Sequence, residues 1–231
     1  MKHLKLLVMV LVTLIAAPAS AKSAAPPARA TDHRATVIET SEGWIFGKAG
    51  APVLIEYASF GCPHCGQFAT GTSAKLGQLV KAGKLRFEFR PFLIFPHDRA
   101  ATVLARCVTP GRRFDFITAV LLGQKVTEAR LAAADADETQ RGRLFAAELE
   151  GPAAQARVLA ELSGLGDLAR AHGLTAAAQG RCLAADVHQK WVTDADLTGR
   201  LNGVTGTPTY YWKGGKIALS TPEALLAVLA D

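Results

Sequence analysis

The sequence predicts an α/β fold, in which helices cover a central mixed sheet and a block of helices interrupts the segments that form the sheet. Three observations support this prediction. Strand-like runs flank a helical stretch in the first part of the chain. Alanine-rich and leucine-rich helical spacing replaces the strand patterns between residues 97 and 203. Strands then return around a Gly-Gly turn, and strand–helix–strand units with a terminal hairpin are typical of a mixed sheet.

The first 21 residues are typical of a secretory signal peptide. Lys2 and Lys5 give a positive start, residues 6–17 are apolar, and a small-residue site predicts cleavage after Ala21. A membrane anchor is the alternative, but the apolar run is shorter than the ~20 residues that a spanning helix needs. We therefore expect a soluble protein in the periplasm.

The composition bounds the remaining chain. Residues 22–40 begin rich in alanine and proline without hydrophobic periodicity, which predicts a disordered leader. The formal charge of +6 falls to +4 once the two lysines of the signal are removed. No cluster of Lys and Arg is dense enough to indicate a nucleic-acid partner. About 200 residues remain, which is enough for one core.

Residues 41–96 contain the first part of the predicted sheet. The predicted elements, in chain order, are strands at Gly43–Phe46 and Val53–Ser59, a helix over Gln67–Val80 and a strand at Leu85–Phe89. We expect Gly71 to weaken or kink the helix, because glycine is a poor helix former.

The remaining elements follow from a change in pattern. Residues 97–203 are predicted to form an inserted helical domain. Residues 204–231 return to strands at Thr209–Trp212 and Ile217–Ser220, with Gly214-Gly215 as the hairpin turn. Pro222 begins a last helix through Leu229, at a position where its missing N–H costs nothing.

The segment Cys62-Pro63-His64-Cys65 lies where a predicted strand ends and a helix begins. With Cys62 at the N-cap and Pro63 at the first helical position, free backbone N–H groups point toward the Cys62 sulfur. The helix dipole also favours a thiolate there, and a protonated or hydrogen-bonding His64 would favour it further. We expect Cys62, exposed at the helix tip, to be the attacking sulfur and Cys65 to be the resolving one.

Half of a zinc site is the alternative interpretation of this cysteine pair. A zinc site would need a second Cys/His pair at comparable spacing, whereas Cys107 and Cys182 stand alone in the sequence. A CxxC at a strand-to-helix junction favours redox chemistry. We therefore expect no metal and no cofactor other than a redox-active Cys62–Cys65 disulfide.

Two segments resemble the DsbA family of thiol–disulfide oxidoreductases, in its alphaproteobacterial type. Residues 56–65 (EYASFGCPHC) resemble the active-site segment, and residues 203–209 (GVTGTPT) resemble the loop that bears a cis-proline. The flanking elements match in order from Trp44 to the C-terminus. One departure is the stretch 129–162, which is longer than usual for the family.

The resemblance implies a thioredoxin-like domain interrupted by a helical one. In this chain the thioredoxin-like domain would comprise residues 41–96 and 204–231, and the inserted helical domain would comprise residues 97–203. This agrees with the organisation that the sequence pattern predicts independently.

The resemblance also implies roles for Thr207, Pro208 and Glu56. A cis Thr207–Pro208 bond would present the Thr207 backbone to an extended substrate and its side chain to the sulfurs, whereas a trans proline in an ordinary turn is the alternative. Glu56 would be a buried acid that moves protons beneath the cysteines. The alternative is a strand glutamate that faces water.

Cys107 and Cys182 are predicted to form a structural disulfide. The count of four cysteines is even and export permits disulfides. Arg106-Cys107-Val108 and Arg181-Cys182-Leu183 also resemble a non-catalytic pair in some members of the family. The alternative is two separate buried cysteines. Neither cysteine is expected to be activated, and no role is assigned to His97, His172 or His188.

The leading functional hypothesis is oxidation of reduced or unfolded exported proteins. A low pKa of Cys62 would stabilise the reduced form and make the disulfide strongly oxidising. The resemblance implies reoxidation by a quinone-coupled membrane protein. An isomerase or reductase of the same fold is the first alternative, although the leader is too short for a dimerisation domain. A non-enzymatic metal- or peptide-binding module is the second, because a fold alone does not fix a function.

Overall fold

A mixed sheet of six strands organises the protein, in a computed structural model that describes residues 37–230. The strands are β1 (Val37–Glu39), β2 (Trp44–Phe46), β3 (Val53–Ala58), β4 (Arg86–Pro91), β5 (Thr209–Trp212) and β6 (Gly215–Ile217). Their order across the sheet is β1-β2-β4-β3-β5-β6, with β3 and β4 parallel and the other neighbours antiparallel. The predicted signal peptide and the first part of the predicted leader lie outside the described residues.

The end of the predicted leader is a strand. Residues 37–39 were assigned to the disordered segment, but the structure pairs them with β2 as an edge strand. The pairing is supported by Glu39, whose carboxylate accepts hydrogen bonds from Trp44 Nε1 at 3.2 Å and from Arg106 Nη2 at 2.9 Å. Arg106 lies 67 residues further along the chain, so the composition of the leader did not indicate this contact.

The helix after the cysteines, α1 (Pro63–Lys81), runs past Gly71 without a break. A Cβ at residue 71 would lie 2.4 Å from the Cβ of Pro222, which begins the last helix, α10 (Pro222–Val228). The glycine therefore permits close packing of α10 on α1, and the predicted weakening of the helix is wrong as an explanation of this residue.

The terminal hairpin turns one residue earlier than predicted. Trp212 pairs with Gly215, so the turn consists of Lys213 and Gly214, with φ values of 49° and 88°. A two-residue turn with positive φ at both positions matches the twist of the flanking strands. This register makes Gly215–Ile217 the strand in place of the predicted Ile217–Ser220.

Eight further helices lie between β4 and β5 in the described part of the chain. They are α2 (Asp98–Cys107), α3 (Pro110–Leu122), α4 (Gln124–Ala136), α5 (Glu138–Glu150), α6 (Pro152–Leu162), α7 (Leu165–Ala171), α8 (Ala176–Ala184) and α9 (Asp186–Leu201). The helices α8 and α9 meet at Ala185. None of the helices between residues 37 and 230 is long and apolar enough to cross a membrane.

The helix α2 is the buried centre of this helical block. Its fully buried side chains are Ala100, Ala101, Thr102, Val103, Leu104 and Ala105. The long stretch 129–162 forms most of α4, α5 and α6, and residues of these helices line a groove of about 720 Å³. All described residues belong to one compact unit, and the boundaries of an inserted domain at residues 97 and 203 stay a prediction.

Candidate active site

The cysteine segment lies at the N-terminus of α1, as the sequence predicts. Cys62 is the N-cap in an extended conformation, Pro63 is the first helical residue, and the Gly66 N–H donates to the Cys62 carbonyl oxygen at 3.1 Å. The strand β3 ends at Ala58, so a short loop connects the buried strand to the cysteine. This loop fixes where the first sulfur points.

The two thiols differ in their ionisation. A hydrogen bond from the Cys65 thiol, together with backbone N–H groups of Cys65 and His64, lowers the pKa of Cys62 to about 5, against the opposing effect of burial. Burial raises the pKa of Cys65, and the hydrogen bond to Cys62 and the negative charge of Glu56 raise it further. The pair therefore holds its negative charge at Cys62 and its proton at Cys65.

Cys62 is less accessible than the sequence suggested. Its side chain was expected to be exposed at the helix tip, but only 5% of the residue is accessible and Cys65 is fully buried. The loop before β5 covers it, with Cys62 Sγ 3.3 Å from the Thr207 carbonyl oxygen. Cys62 is still the more accessible sulfur of the pair.

His64 contributes through its backbone. Its N–H group is among the donors that lower the pKa of Cys62, while its side chain and that of Pro63 are exposed. The sequence analysis assigned this stabilisation to the imidazole as well, and the backbone contact is the one that the structure provides.

The peptide bond between Thr207 and Pro208 is cis. Pro208 immediately precedes β5, which pairs with β3 from Thr209 opposite Tyr57. The Thr207 side chain, whose hydroxyl oxygen is buried, also helps to lower the pKa of Cys62 through a hydrogen bond to the sulfur. Thr207 thus lies just before a strand, with its carbonyl oxygen turned to the Cys62 sulfur.

Glu56 is buried in β3, with 5% of the residue accessible. Burial raises the pKa of its carboxyl group to about 7, against a hydrogen bond that Tyr210 Oη donates to Oε1 at 2.9 Å. Tyr210 is opposite Glu56 in the β3–β5 register. The sequence analysis did not identify Tyr210, because only the strand register brings it to the carboxylate.

Asp98 is a buried carboxylate at the start of α2 that the sequence analysis also missed. It accepts hydrogen bonds from the Gly61 N–H at 2.9 Å, the Ser59 hydroxyl at 2.8 Å, the Ile94 N–H at 2.8 Å and the Phe95 N–H at 2.7 Å. Burial raises the pKa of this carboxyl group and the backbone N–H donors oppose the rise. Asp98 therefore joins the loop before Cys62 to the helical block.

Gln124 holds the same loop from α4. Its side-chain amide donates to the carbonyl oxygens of Phe60 at 2.8 Å and Cys62 at 2.9 Å. A Cβ at Gly66 would lie 2.0 Å from Gln124 Oε1, so a glycine is needed where the side chain crosses α1. That glycine directly after the CxxC segment was the available signal for a close approach.

The second cysteine pair is joined in the structure. A disulfide connects Cys107 at the end of α2 with Cys182 in α8, with a Cα–Cα distance of 6.4 Å. Cys62 and Cys65 are free thiols in the same structure. The predicted pairing of Cys107 with Cys182 is confirmed.

The chain is similar in sequence and in fold to known proteins. The thioredoxin family matches residues 39–231, while no curated protein sequence matches the chain. The crystal structure of protein-disulfide isomerase from Novosphingobium aromaticivorans is 28% identical, with a TM-score of 0.66, and covers 81% of this chain and 97% of its own. MdbA, a thiol-disulfide oxidoreductase from Actinomyces oris, is 21% identical, with a TM-score of 0.60 and coverages of 82% and 85%.

A Wolbachia protein is also similar. Alpha-DsbA1 from Wolbachia pipientis is 21% identical, with a TM-score of 0.58, and covers 80% of this chain and 88% of its own. The thioredoxin-like sheet with its helical region and the polarised Cys62–Cys65 pair define a thiol–disulfide oxidoreductase. The chain belongs to the thioredoxin family.

Proposed function

We propose that the protein is an exported oxidase that introduces disulfides into reduced, unfolded proteins. The observation that supports this direction is the polarised thiol pair, with the pKa of Cys62 lowered to about 5 and that of Cys65 raised. A stabilised thiolate favours the reduced form, and a dithiol that is stable in its reduced form is a strong oxidant as a disulfide.

The exchange proceeds in two steps. A substrate thiolate attacks Cys62 Sγ of the oxidised pair, the Cys62–Cys65 bond breaks, and Cys65 leaves with the electron pair. A second substrate thiolate then attacks the substrate sulfur of the mixed disulfide and releases Cys62. Two electrons pass from the substrate to the protein, and the low pKa of Cys62 makes it a good leaving group in the second step.

Glu56 supplies the proton that Cys65 needs when it leaves. A carboxyl group with a pKa of about 7 holds a proton in a substantial fraction of molecules at neutral pH. The negative charge of Glu56 raises the pKa of Cys65, so the two groups are close enough to interact electrostatically. Tyr210 keeps the carboxyl group oriented through its hydrogen bond to Oε1.

Thr207 and Pro208 form the substrate contact. The Thr207 backbone lies beside Cys62 Sγ, and an extended substrate chain pairs with it by strand addition. In this proposal the protein acts in the periplasm and is reoxidised by a quinone-coupled membrane protein. The resemblance to DsbA supports the location and this partner.

An isomerase is the second candidate, because the Novosphingobium relative is named protein-disulfide isomerase. The test compares two reactions of the full mature chain: oxidation of a reduced two-cysteine peptide, and rearrangement of a protein with scrambled disulfides. We expect fast oxidation, slow rearrangement and a Cys62–Cys65 potential more positive than about −180 mV, the value of an isomerase. A more negative potential with fast rearrangement would contradict the oxidase proposal.

A further inference from the structure

His188 lies directly against the second cysteine pair. It is in the first turn of α9, with its Nε2 3.4 Å from Cys107 Sγ and its Nδ1 2.8 Å from Arg106 Nη1. Cys107 is partly exposed, whereas Cys182 is buried. The sequence predicts that neither cysteine is activated, because neither has a CxxC partner or a strand-to-helix position, and only the fold brings His188 to Cys107.

Arg106 determines which nitrogen of His188 carries the proton. A guanidinium group has only donors, so Nδ1 must accept and the neutral ring must carry its hydrogen on Nε2. Burial lowers the pKa of His188, and the positive charge of Arg106 lowers it further against the opposite effect of Glu39, so the neutral ring is favoured. The Nε2–H group is thereby directed at Cys107 Sγ.

The position of Arg106 is itself fixed. Its guanidinium donates to Glu39 Oε1 at 2.9 Å and to the Val187 carbonyl oxygen at 3.1 Å, and it stacks over the ring of Trp191 at 5.0 Å. Arg113 is the other cation near this group, 3.7 Å from Glu39. The donor that faces Nδ1 is therefore held by contacts with β1 and α9.

Cys182 has the opposite surroundings. Its Sγ lies 3.3 Å from the Val103 carbonyl oxygen, in the core between α2 and α8. A carbonyl oxygen accepts a hydrogen bond from a thiol and repels a thiolate. The Thr207 carbonyl oxygen faces Cys62 at the same distance, but there the Cys65 thiol and backbone N–H groups stabilise the thiolate. Cys182 has no such donor in the described part of the chain. When the pair is reduced, the negative charge is favoured at Cys107 and the proton at Cys182.

We propose that Cys107 and Cys182 form a second thiol–disulfide exchange site, in which Cys107 is the nucleophile, supported by His188, and Cys182 is the resolving thiol. The Cys107 thiolate attacks one sulfur of a small-molecule disulfide and releases one thiolate. Cys182 transfers its proton to that thiolate and attacks Cys107 Sγ, which releases the second thiolate. The pair loses two electrons and the disulfide gains them; in the reverse direction, two molecules of a small thiol attack in turn, return the Cys107–Cys182 disulfide to the dithiol and leave as their own disulfide. This reaction does not depend on the exchange proposed for Cys62.

A metal site is the competing interpretation of the same residues. The ligand atoms of Cys107, Cys182 and His188 lie within 4.8 Å of one another, and two cysteines with one histidine suit zinc. Ligation through Nε2 would require the proton on Nδ1, where it would face the N–H of Arg106 at 2.8 Å. Two donors would then oppose each other, so Arg106 favours thiolate support over metal binding.

The test uses the full mature chain with Cys62→Ser and Cys65→Ser, so that only the second pair reacts. After mild reduction, alkylation by iodoacetamide is followed against pH with peptide mapping, and reoxidation is followed with glutathione disulfide. We expect Cys107 to react at least about tenfold faster than Cys182 in the folded protein, as a hydrogen bond to a charged group would produce.

His188→Phe is the decisive variant. We expect it to slow Cys107 alkylation about tenfold at pH 6.5 and to move the rise of its rate to higher pH. The control is His172→Phe, because His172 contacts Phe116 and Leu168 and has no cysteine partner in the described part of the chain. An unchanged pH profile in His188→Phe, faster labelling of Cys182, or labelling only in denaturant would overturn the proposal.

Arg106→Met provides a second route if His188→Phe does not fold. Methionine retains an apolar stem for packing against Trp191 and removes the donor that fixes the tautomer of His188. We expect slower Cys107 alkylation and a gain of Zn²⁺ protection of both thiols relative to the parent chain. Protection by Zn²⁺ in the parent chain itself would show that the tautomer argument is wrong.

Discussion

In the first cysteine pair, the thiolate is favoured at Cys62 by donors at the start of a helix, and Cys65 is buried near a carboxyl group. In the second pair, Cys107 faces a histidine whose tautomer an arginine fixes, and Cys182 faces a carbonyl oxygen. In the reduced form that we propose, the second pair would separate charge and proton as the first pair does. The difference is that the donors for Cys62 include backbone N–H groups of its own helix turn, whereas the donor for Cys107 is a side chain from another helix, α9.

The two pairs also differ in what a substrate can reach. Next to Cys62 the Thr207 backbone precedes a strand, so an extended polypeptide has a partner for its own backbone. Cys107 ends α2 and Cys182 lies within α8, and the carbonyl oxygens of Ala105 and Arg106 near Cys107 already accept hydrogen bonds from Arg113. The first pair therefore suits a polypeptide and the second suits a small disulfide.

The strongest test of this difference removes one pair at a time. Cys62→Ala deletes the attacking sulfur, and we expect oxidation of a two-cysteine peptide to fall about a thousandfold or more. The matched variant Cys107→Ser with Cys182→Ser is expected to keep the rate within about threefold, since distant sites act independently. Initial rates of peptide oxidation measure both, and a comparable loss in the two variants would show that the pairs act together.

The second pair is expected to matter more than the first for stability, the reverse of their expected effects on peptide oxidation. The Cys107–Cys182 disulfide spans 75 residues, and its removal by Cys107→Ser with Cys182→Ser is expected to lower the free energy of unfolding by about 4 kcal/mol. The Cys62–Cys65 disulfide closes a much shorter loop, so its reduction costs little through chain entropy. Reduction also yields a stabilised thiolate at Cys62, so it is expected to raise stability. Urea unfolding of the double variant and of the parent chain reduced at Cys62–Cys65, each compared with the oxidised parent chain, measures both changes. A loss of similar size in both would contradict this prediction.

Glu56 distinguishes the first pair by a pH dependence. Its pKa is about 7 in the folded chain against an ordinary 4.5, so the unfolded chain loses the proton first and folding costs free energy as pH rises from 4.5 to 7. Glu56→Gln is expected to raise the free energy of unfolding by about 3 kcal/mol at pH 8 and by little at pH 4. Urea unfolding of the dithiol form at both pH values measures the change.

Glu88→Gln is the matched control for that prediction. Glu88 is a buried carboxylate on the neighbouring strand, but Arg90 pairs with it at 2.7 Å. Removing the Glu88 charge takes one carboxylate from the half-buried Arg90 and leaves it with Glu42, so this variant is expected to lose stability at pH 8. A gain in both variants would mean that burial alone explains the result for Glu56.

Asp98 connects the two pairs, because it begins the helix that ends at Cys107. Asp98→Asn replaces one acceptor oxygen by a donor that faces N–H groups, and we expect a loss of about 2 kcal/mol in the free energy of unfolding. Alkylation of Cys62 is expected to slow as its loop loosens. The control is Asp186→Asn at the exposed start of α9, expected to change stability by less than about 0.5 kcal/mol.

The sequence was informative where the relevant physics is local. The N-cap position of Cys62 and the first helical position of Pro63 follow from neighbouring residues, and so do the strand β3 and the order of the elements. Asp98 and Tyr210 escaped prediction because a buried acceptor or donor is recognised only by its partners, which lie 37 and 154 residues away. The role of Gly71 is of the same kind, since its neighbour Pro222 comes from the end of the chain.

The hydrogen bonds of Asp98 have a consequence for hydrogen–deuterium exchange. The amide protons of Gly61, Ile94 and Phe95 all end on one carboxylate, so each is protected by the same first turn of α2. Opening of that turn releases all three together, although Gly61 is far from the others in sequence. The exchange rate of the Gly61 amide, one residue before Cys62, therefore reports how often the contact between the helical block and the loop before Cys62 opens.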